Sequence, residues 1–96
     1  MDARSIIGRL GSELATLKTR FGVKSLGVFG SVVRGEDSPG SDIDILVEFE
    51  VPSFDRYMEL KFYLEDLLGR SVDLVLKGSL KPALRDRILQ EVRDVA

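Results

Sequence analysis

Asp42 and Asp44 stand two residues apart in "SDIDILVEF", and a third acid, Asp73, interrupts the apolar run "SVDLVL". Ile43, Ile45, Val47 and Phe49 occupy every second position, the signature of a strand with one buried face. Period-two geometry then puts both carboxylates on the other face, roughly 6.5–7 Å apart at their Cα atoms. Carboxylates this close repel each other. A pair of them can also share divalent cations, and two-metal sites hold their ions ~3.5–4 Å apart. The plain alternative is a solvated outer strand face, where alternating polar residues are common. Asp73 is a lone acid between Val72 and Leu74, which face oppositely. On a neighbouring strand it would complete a metal-binding cluster, and in a chain without histidine it is a natural base for a hydroxyl. On an edge strand it would be only an exposed residue.

Upstream, Gly30-Ser31 follows the apolar run "KSLGVF" and precedes "VVRGE". Glycine at a strand-to-helix turn lets a ligand approach the backbone, and amides at a helix start attract anions. On the dipeptide alone, a capped turn with no ligand is the commoner explanation. Neither Gly30-Ser31 nor Asp42-x-Asp44 is specific alone.

Composition narrows the chemistry. The chain of 96 residues contains neither cysteine nor histidine. Disulfides, zinc–thiolate sites and cysteine nucleophiles are thereby excluded, as is the commonest general base. Catalysis would fall to Asp, Glu, Lys or Tyr, and any metal would be a hard, oxygen-liganded one such as Mg²⁺. A net charge of −2 argues against direct nucleic-acid binding through a broad basic face. No stretch is apolar enough to span a membrane. The N-terminus mixes charges into its apolar residues, which points to a cytoplasmic protein. A length of 96 residues predicts a single domain, 1–96. Its core would be thin, consistent with a chain that leans on a partner in a homo- or hetero-oligomer.

The elements that must position these residues follow from periodicity. Ile6, Ile7, Leu10, Leu14, Leu17 and Phe21 recur at steps of three and four, predicting one amphipathic helix over 4–21, ended by Gly22. A buried strand is expected over 25–29, a turn of helix from Ser31, and a loop through "GEDSPGS". The second strand is expected over 41–50, a long helix over 54–68 stopped by Gly69, and a third strand through "RSVDLVLK". A last helix from Pro82 would gather Leu84, Ile88, Leu89, Val92 and Val95 on one face. The basic residues Lys77, Lys81, Arg85, Arg87 and Arg93 suit a solvated face. The order predicts an α/β (α+β) fold with a small three- to four-stranded sheet and helices mainly on one face.

Taken together, Gly30-Ser31, ten residues, Asp42-x-Asp44 and a later Asp73 resemble the nucleotidyltransferase superfamily that includes DNA polymerase β. The segment "FGSVVRGEDSPGSDIDILVEF" is especially similar to the smallest prokaryotic members, the minimal nucleotidyltransferases (MNT type), including Arg34-Gly35 and Ser41. The resemblance covers the whole chain and implies a nucleotidyltransferase fold with a mixed sheet. It implies that Gly30 and Ser31 hold the β- and γ-phosphates of a nucleoside triphosphate, ATP. Asp42 and Asp44 would ligate Mg²⁺, two ions in all, and Asp73 would complete the site and help deprotonate an acceptor hydroxyl. Ser41 belongs to the same signature. Arg34 would either touch phosphate or brace the loop by pairing with an acid; bracing is favoured, because local carboxylates are many. Minimal members commonly pair with a HEPN-domain toxin, which they neutralise by transferring AMP to a tyrosine or by binding. Transfer to a small molecule or RNA is a further alternative. Larger relatives carry a second domain that shapes the acceptor site, and here nothing is left over for one.

Overall fold

The computed structural model describes residues 1–95. Helices α1 (Ala3–Ser12) and α2 (Leu14–Phe21) lead into strand β1 (Val23–Phe29). A short helix, α3 (Ser31–Arg34), precedes β2 (Ile43–Phe49), and α4 (Phe54–Leu68) precedes β3 (Val72–Leu76). A 3₁₀ turn at Lys77–Ser79, helix α5 (Pro82–Glu91) and a two-residue strand β4 (Arg93–Asp94) follow. The four strands form one mixed sheet in the order β3-β2-β1-β4. β1 is antiparallel to both β2 and β4, while β2 and β3 run parallel.

Alternation along the strands divides the sheet. Leu26 and Val28 of β1, Ile43, Ile45 and Val47 of β2, and Val72 and Leu74 of β3 join Ile6, Leu10, Leu17, Phe21, Leu60, Leu64 and Leu68 in one core with α1, α2 and α4. Leu60, Leu64 and Leu68 are four residues apart, so one stripe of α4 is buried. Ser53 caps that helix by accepting the Arg56 N–H, and Gly69 ends it in the left-handed conformation. The opposite face of β2 and β3 carries Asp44, Leu46, Glu48, Asp73 and Val75. There Leu89 and Val92 share a recess with Gly27 and Leu46.

Three expectations need correction. The helix over 4–21 is broken at Glu13, whose φ of −104° and ψ of 8° leave the helical region. Its N–H closes a tight turn on the Leu10 carbonyl at 3.1 Å, and Ser12 Oγ bonds back to the Arg9 carbonyl at 2.7 Å. That side-chain bond competes with helix continuation. β2 starts at Ile43, so Asp42 precedes the ladder. Finally, α5 ends at Glu91; Val92 is extended, and the chain turns into β4 rather than keeping Val92 and Val95 on a helix. No residue of α5 is buried, and Leu84 is among the exposed large apolar residues.

Candidate functional site

The strand-to-helix turn after β1 depends on Gly30. Its φ of 81° and ψ of −154° lie where side chains are strongly disfavoured. Space gives a second reason. A Cβ on Gly30 would collide with Asp44 Oδ2 and lie 2.8 Å from Asp44 Cγ. The Gly30 carbonyl accepts the N–H groups of Val33 and Arg34 at 3.1 and 3.2 Å, starting α3. Phe29 pairs with Asp44 across β1 and β2, so this turn sits directly over the acidic end of β2.

Asp44 and Asp73 are partners in the parallel β2–β3 ladder. Asp44 is half-buried and Asp73 exposed. Burial pushes the Asp44 carboxyl up to about 6; the Asp73 charge, a hydrogen bond to Asp73 and the Asp42 charge add to the rise, and Arg34 opposes it. Asp42 is exposed in the loop just before β2. Among the described residues no three acidic side chains already converge as metal ligands do. The fold thus brings two of the three predicted acids side by side and leaves Asp42 adjacent to them. An all-oxygen pair of crowded carboxylates nonetheless suits a hard divalent cation, which turns their mutual repulsion into shared attraction. The Asp44 carboxylate itself packs where a side chain on Gly30 would stand.

β3 is an edge strand, and side chains from α4 hold it. Glu65 accepts the Val72 N–H at 2.9 Å and pairs with Lys61 at 3.2 Å. Tyr57 donates its hydroxyl to the Leu74 carbonyl at 2.6 Å. Asp73 lies between these two anchors.

Arg34 pairs with Glu36 through Nε at 3.0 Å and with Glu91 through Nη1 at 2.6 Å. Those hydrogen bonds, Glu91 first, hold the guanidinium even more firmly charged than usual. Ser31, half-buried, opens α3, and its carbonyl accepts the Glu36 N–H at 2.9 Å. Ser41 faces its own loop: its hydroxyl bonds to Ser38 Oγ at 2.7 Å and its carbonyl accepts Arg70 Nη2 at 2.6 Å.

Two residues that sequence reasoning passed over organise this region. Arg70, just before β3, grips Asp37 with two bonds of 2.8 Å as well as the Ser41 carbonyl. Both partners belong to the loop that delivers Asp42. Glu91, at the end of α5, accepts the Gly30 N–H at 3.0 Å and the Arg34 bond. Neither has a spacing signal, because their partners are 33 and 61 positions away. A cavity of about 870 Å³ lies under the same loop, walled by Gly35, Asp37, Gly40, Arg70 and the start of α1. Asp42, Asp44 and Asp73 do not line it.

A glycine-serine turn over paired carboxylates, which could hold a divalent cation against phosphates, is an arrangement suited to a phosphate-directed transferase. Residues 14–95 match the family model described as "Nucleotidyltransferase domain", and the chain belongs to that family. It is 56% identical over 77 residues to the protein adenylyltransferase MntA of Thermococcus cleftensis, covering 79% of this chain and 78% of that one. A solved structure described as a minimal nucleotidyltransferase superposes with a TM-score of 0.80 at 39% identity, over 97% of this chain and 95% of that one. The fold also recurs in a complex of a tri-AMPylated Shewanella oneidensis HEPN toxin with an MNT antitoxin. There the TM-score is 0.66 at 20% identity, over 94% of this chain and 71% of that one. Among the described residues no helix is long and apolar enough to cross a membrane.

Proposed function

We propose that this chain, acting as one cytoplasmic domain, is a Mg²⁺-dependent protein adenylyltransferase. It transfers AMP from ATP to a tyrosine hydroxyl of a HEPN-family toxin and so serves as that toxin's antitoxin. The observation that carries this reading is the pairing of Asp44 with Asp73 beneath the Gly30-Ser31 turn. Membership of the nucleotidyltransferase family and the likeness to MntA support the adenylyl chemistry.

Asp42, Asp44 and Asp73 would hold the magnesium. Bound there, Mg²⁺ neutralises the triphosphate and lowers the cost of ionising the acceptor hydroxyl. Gly30 and Ser31 orient the β- and γ-phosphates, Ser41 and Arg34 flank them, and Asp73 takes the hydroxyl proton. The acceptor oxygen forms a bond to the α-phosphorus as the bond from that phosphorus to the α–β bridging oxygen breaks. AMP stays on the acceptor, and pyrophosphate leaves with the bond's electron pair. Alignment and charge neutralisation do most of the work in such transfers.

The test is mass spectrometry of the partner toxin after incubation with this chain, ATP and Mg²⁺. The expected product carries one or more AMP units on tyrosine, and Asp42→Asn with Asp44→Asn abolishes them. An unmodified partner would overturn the reading.

A second reading is neutralisation by complexation alone. It draws on the exposed apolar residues Val51, Phe54, Phe62 and Leu84. Full neutralisation by the Asp42→Asn, Asp44→Asn variant would favour it.

A further inference from the structure

Glu91 joins the two elements of the phosphate side of the site. One carboxylate oxygen accepts the Gly30 N–H at 3.0 Å; the other accepts Arg34 Nη1 at 2.6 Å. Arg34 Nε is taken by Glu36. Nη2 of Arg34 makes no hydrogen bond to another described residue, and the guanidinium lies close enough to Asp44 to favour its charged form. Arg34 is therefore braced on two nitrogens and has one directed pair of donors to spare. The Glu91 side chain retains only 16% of its exposure, although α5 buries no residue. A carboxylate withdrawn from water at the end of an otherwise superficial helix needs its partners, which cap and end the short helix α3.

We infer that Glu91 is a positioning residue for the nucleotide: it locks the Gly30 amide and the Arg34 guanidinium in one geometry, so that Arg34 Nη2 meets a phosphate oxygen of ATP. Bracing and phosphate contact are then two halves of one role for Arg34. The guanidinium is planar and its donors are fixed relative to one another, so holding Nε and Nη1 aims Nη2. This inference rests on the adenylyl-transfer reading for the identity of the ligand.

The test measures the Kd of a non-hydrolysable ATP analogue with Mg²⁺ by calorimetry, which needs no acceptor protein. It compares wild type, Glu91→Gln, Glu91→Asp, Arg34→Ala and the Glu91→Gln, Arg34→Ala double variant. Loss of one charge-assisted bond predicts that Glu91→Gln weakens binding about tenfold. If Glu91 acts through Arg34, the double variant binds no more weakly than Arg34→Ala alone. Glu91→Asp, with the charge kept, recovers part of the loss. Glu91→Gln retains length and one acceptor, so folding is expected to survive; the exchange rate of the Gly30 amide, read without ligand, should rise on Glu91→Gln. Unchanged affinity in Glu91→Gln, or additive losses in the double variant, would overturn the inference. Tighter binding would overturn it too, by making Glu91 a rival of the phosphate. If the wild type failed to bind the analogue, the adenylyl-transfer reading would fall first and this inference with it.

Discussion

Asp44 faces Asp73 across the parallel pairing of β2 with β3, two like charges on adjacent strands with Gly30 packed against one of them. Strand neighbours lie about 4.8 Å apart, so the repulsion is built into the sheet and cannot be relieved by a change of register without exposing the core face.

Burial of Asp44, reinforced by that crowding, gives the metal-free protein a distinctive pH dependence. Asp44 binds its proton at about 6 in the folded chain against 3.8 ordinarily. Between those values the folded state holds more protons than the unfolded one, so this group's contribution to stability falls as pH rises from about 4 to about 6. Asp44 remains partly solvated, which limits the loss to the order of 1 kcal/mol. Glu65 and Glu91, whose carboxyls are held low, act in the opposite direction as pH falls. The measurement is therefore a difference: denaturant unfolding of wild type minus Asp44→Asn, with chelator, across that window. A flat difference would show that Asp44 keeps its ordinary affinity for the proton in the folded chain.

Metal should reverse the sign of the same substitution. Without Mg²⁺, Asp44→Asn is expected to be at least as stable as wild type, because a repulsion is removed. With Mg²⁺ at about 100 times its Kd, wild type should gain about 2.7 kcal/mol and the variant almost none. Thermal melts with and without Mg²⁺ check both statements, and a clear metal-free loss on Asp44→Asn would assign that carboxylate a structural task.

Gly30→Ala meets two obstacles at once, a backbone conformation reserved for glycine and the Asp44 carboxylate. The conformational part alone costs about 1–3 kcal/mol. Since the steric part requires Asp44, the substitution should be milder in an Asp44→Ala background, and a double-mutant cycle by chemical denaturation would expose the coupling. Additive losses would mean that the backbone strain acts alone.

Arg70→Ala should free the 36–41 loop without disturbing the core. Asp37 and the Ser41 carbonyl lose their common donor, and Asp42 is no longer held at the entry to β2. Misplacement on this scale lowers kcat/KM roughly 10–100-fold. Hydrogen exchange should rise in that loop while α4 and β1 stay protected. Faster exchange in α4 as well would identify Arg70 as a global prop.

Much of this was legible in the chain. Ile43, Ile45 and Val47 announce a buried strand by period alone, and Leu60, Leu64 and Leu68 announce the buried stripe of α4. Asp44 and Asp73 stand out because each sits in apolar company, and Asp42 because it lies two residues from Asp44. The break at Glu13 was hidden, because Ile6, Leu10, Leu17 and Phe21 keep a helical period across it and all are buried. Strand β4 was hidden for a different reason: two residues carry no period, and only pairing with Gly27 and Val28 makes them a strand. Glu91 and Arg70 were invisible because their partners are distant in sequence, and charge pairing over such separations has no local signature.

The bond from the Gly30 amide to Glu91 closes a loop of 61 positions. During synthesis, Gly30, Ser31, Asp42, Asp44 and Asp73 are all joined to the chain before α5. The strands that hold the acids can pair early, whereas the closure that fixes Arg34 waits for the last described helix and bears the entropy of a long loop. The closure around Gly30 and Arg34 is accordingly late to form, and a chain truncated before α5 would carry its paired acids without a braced Arg34.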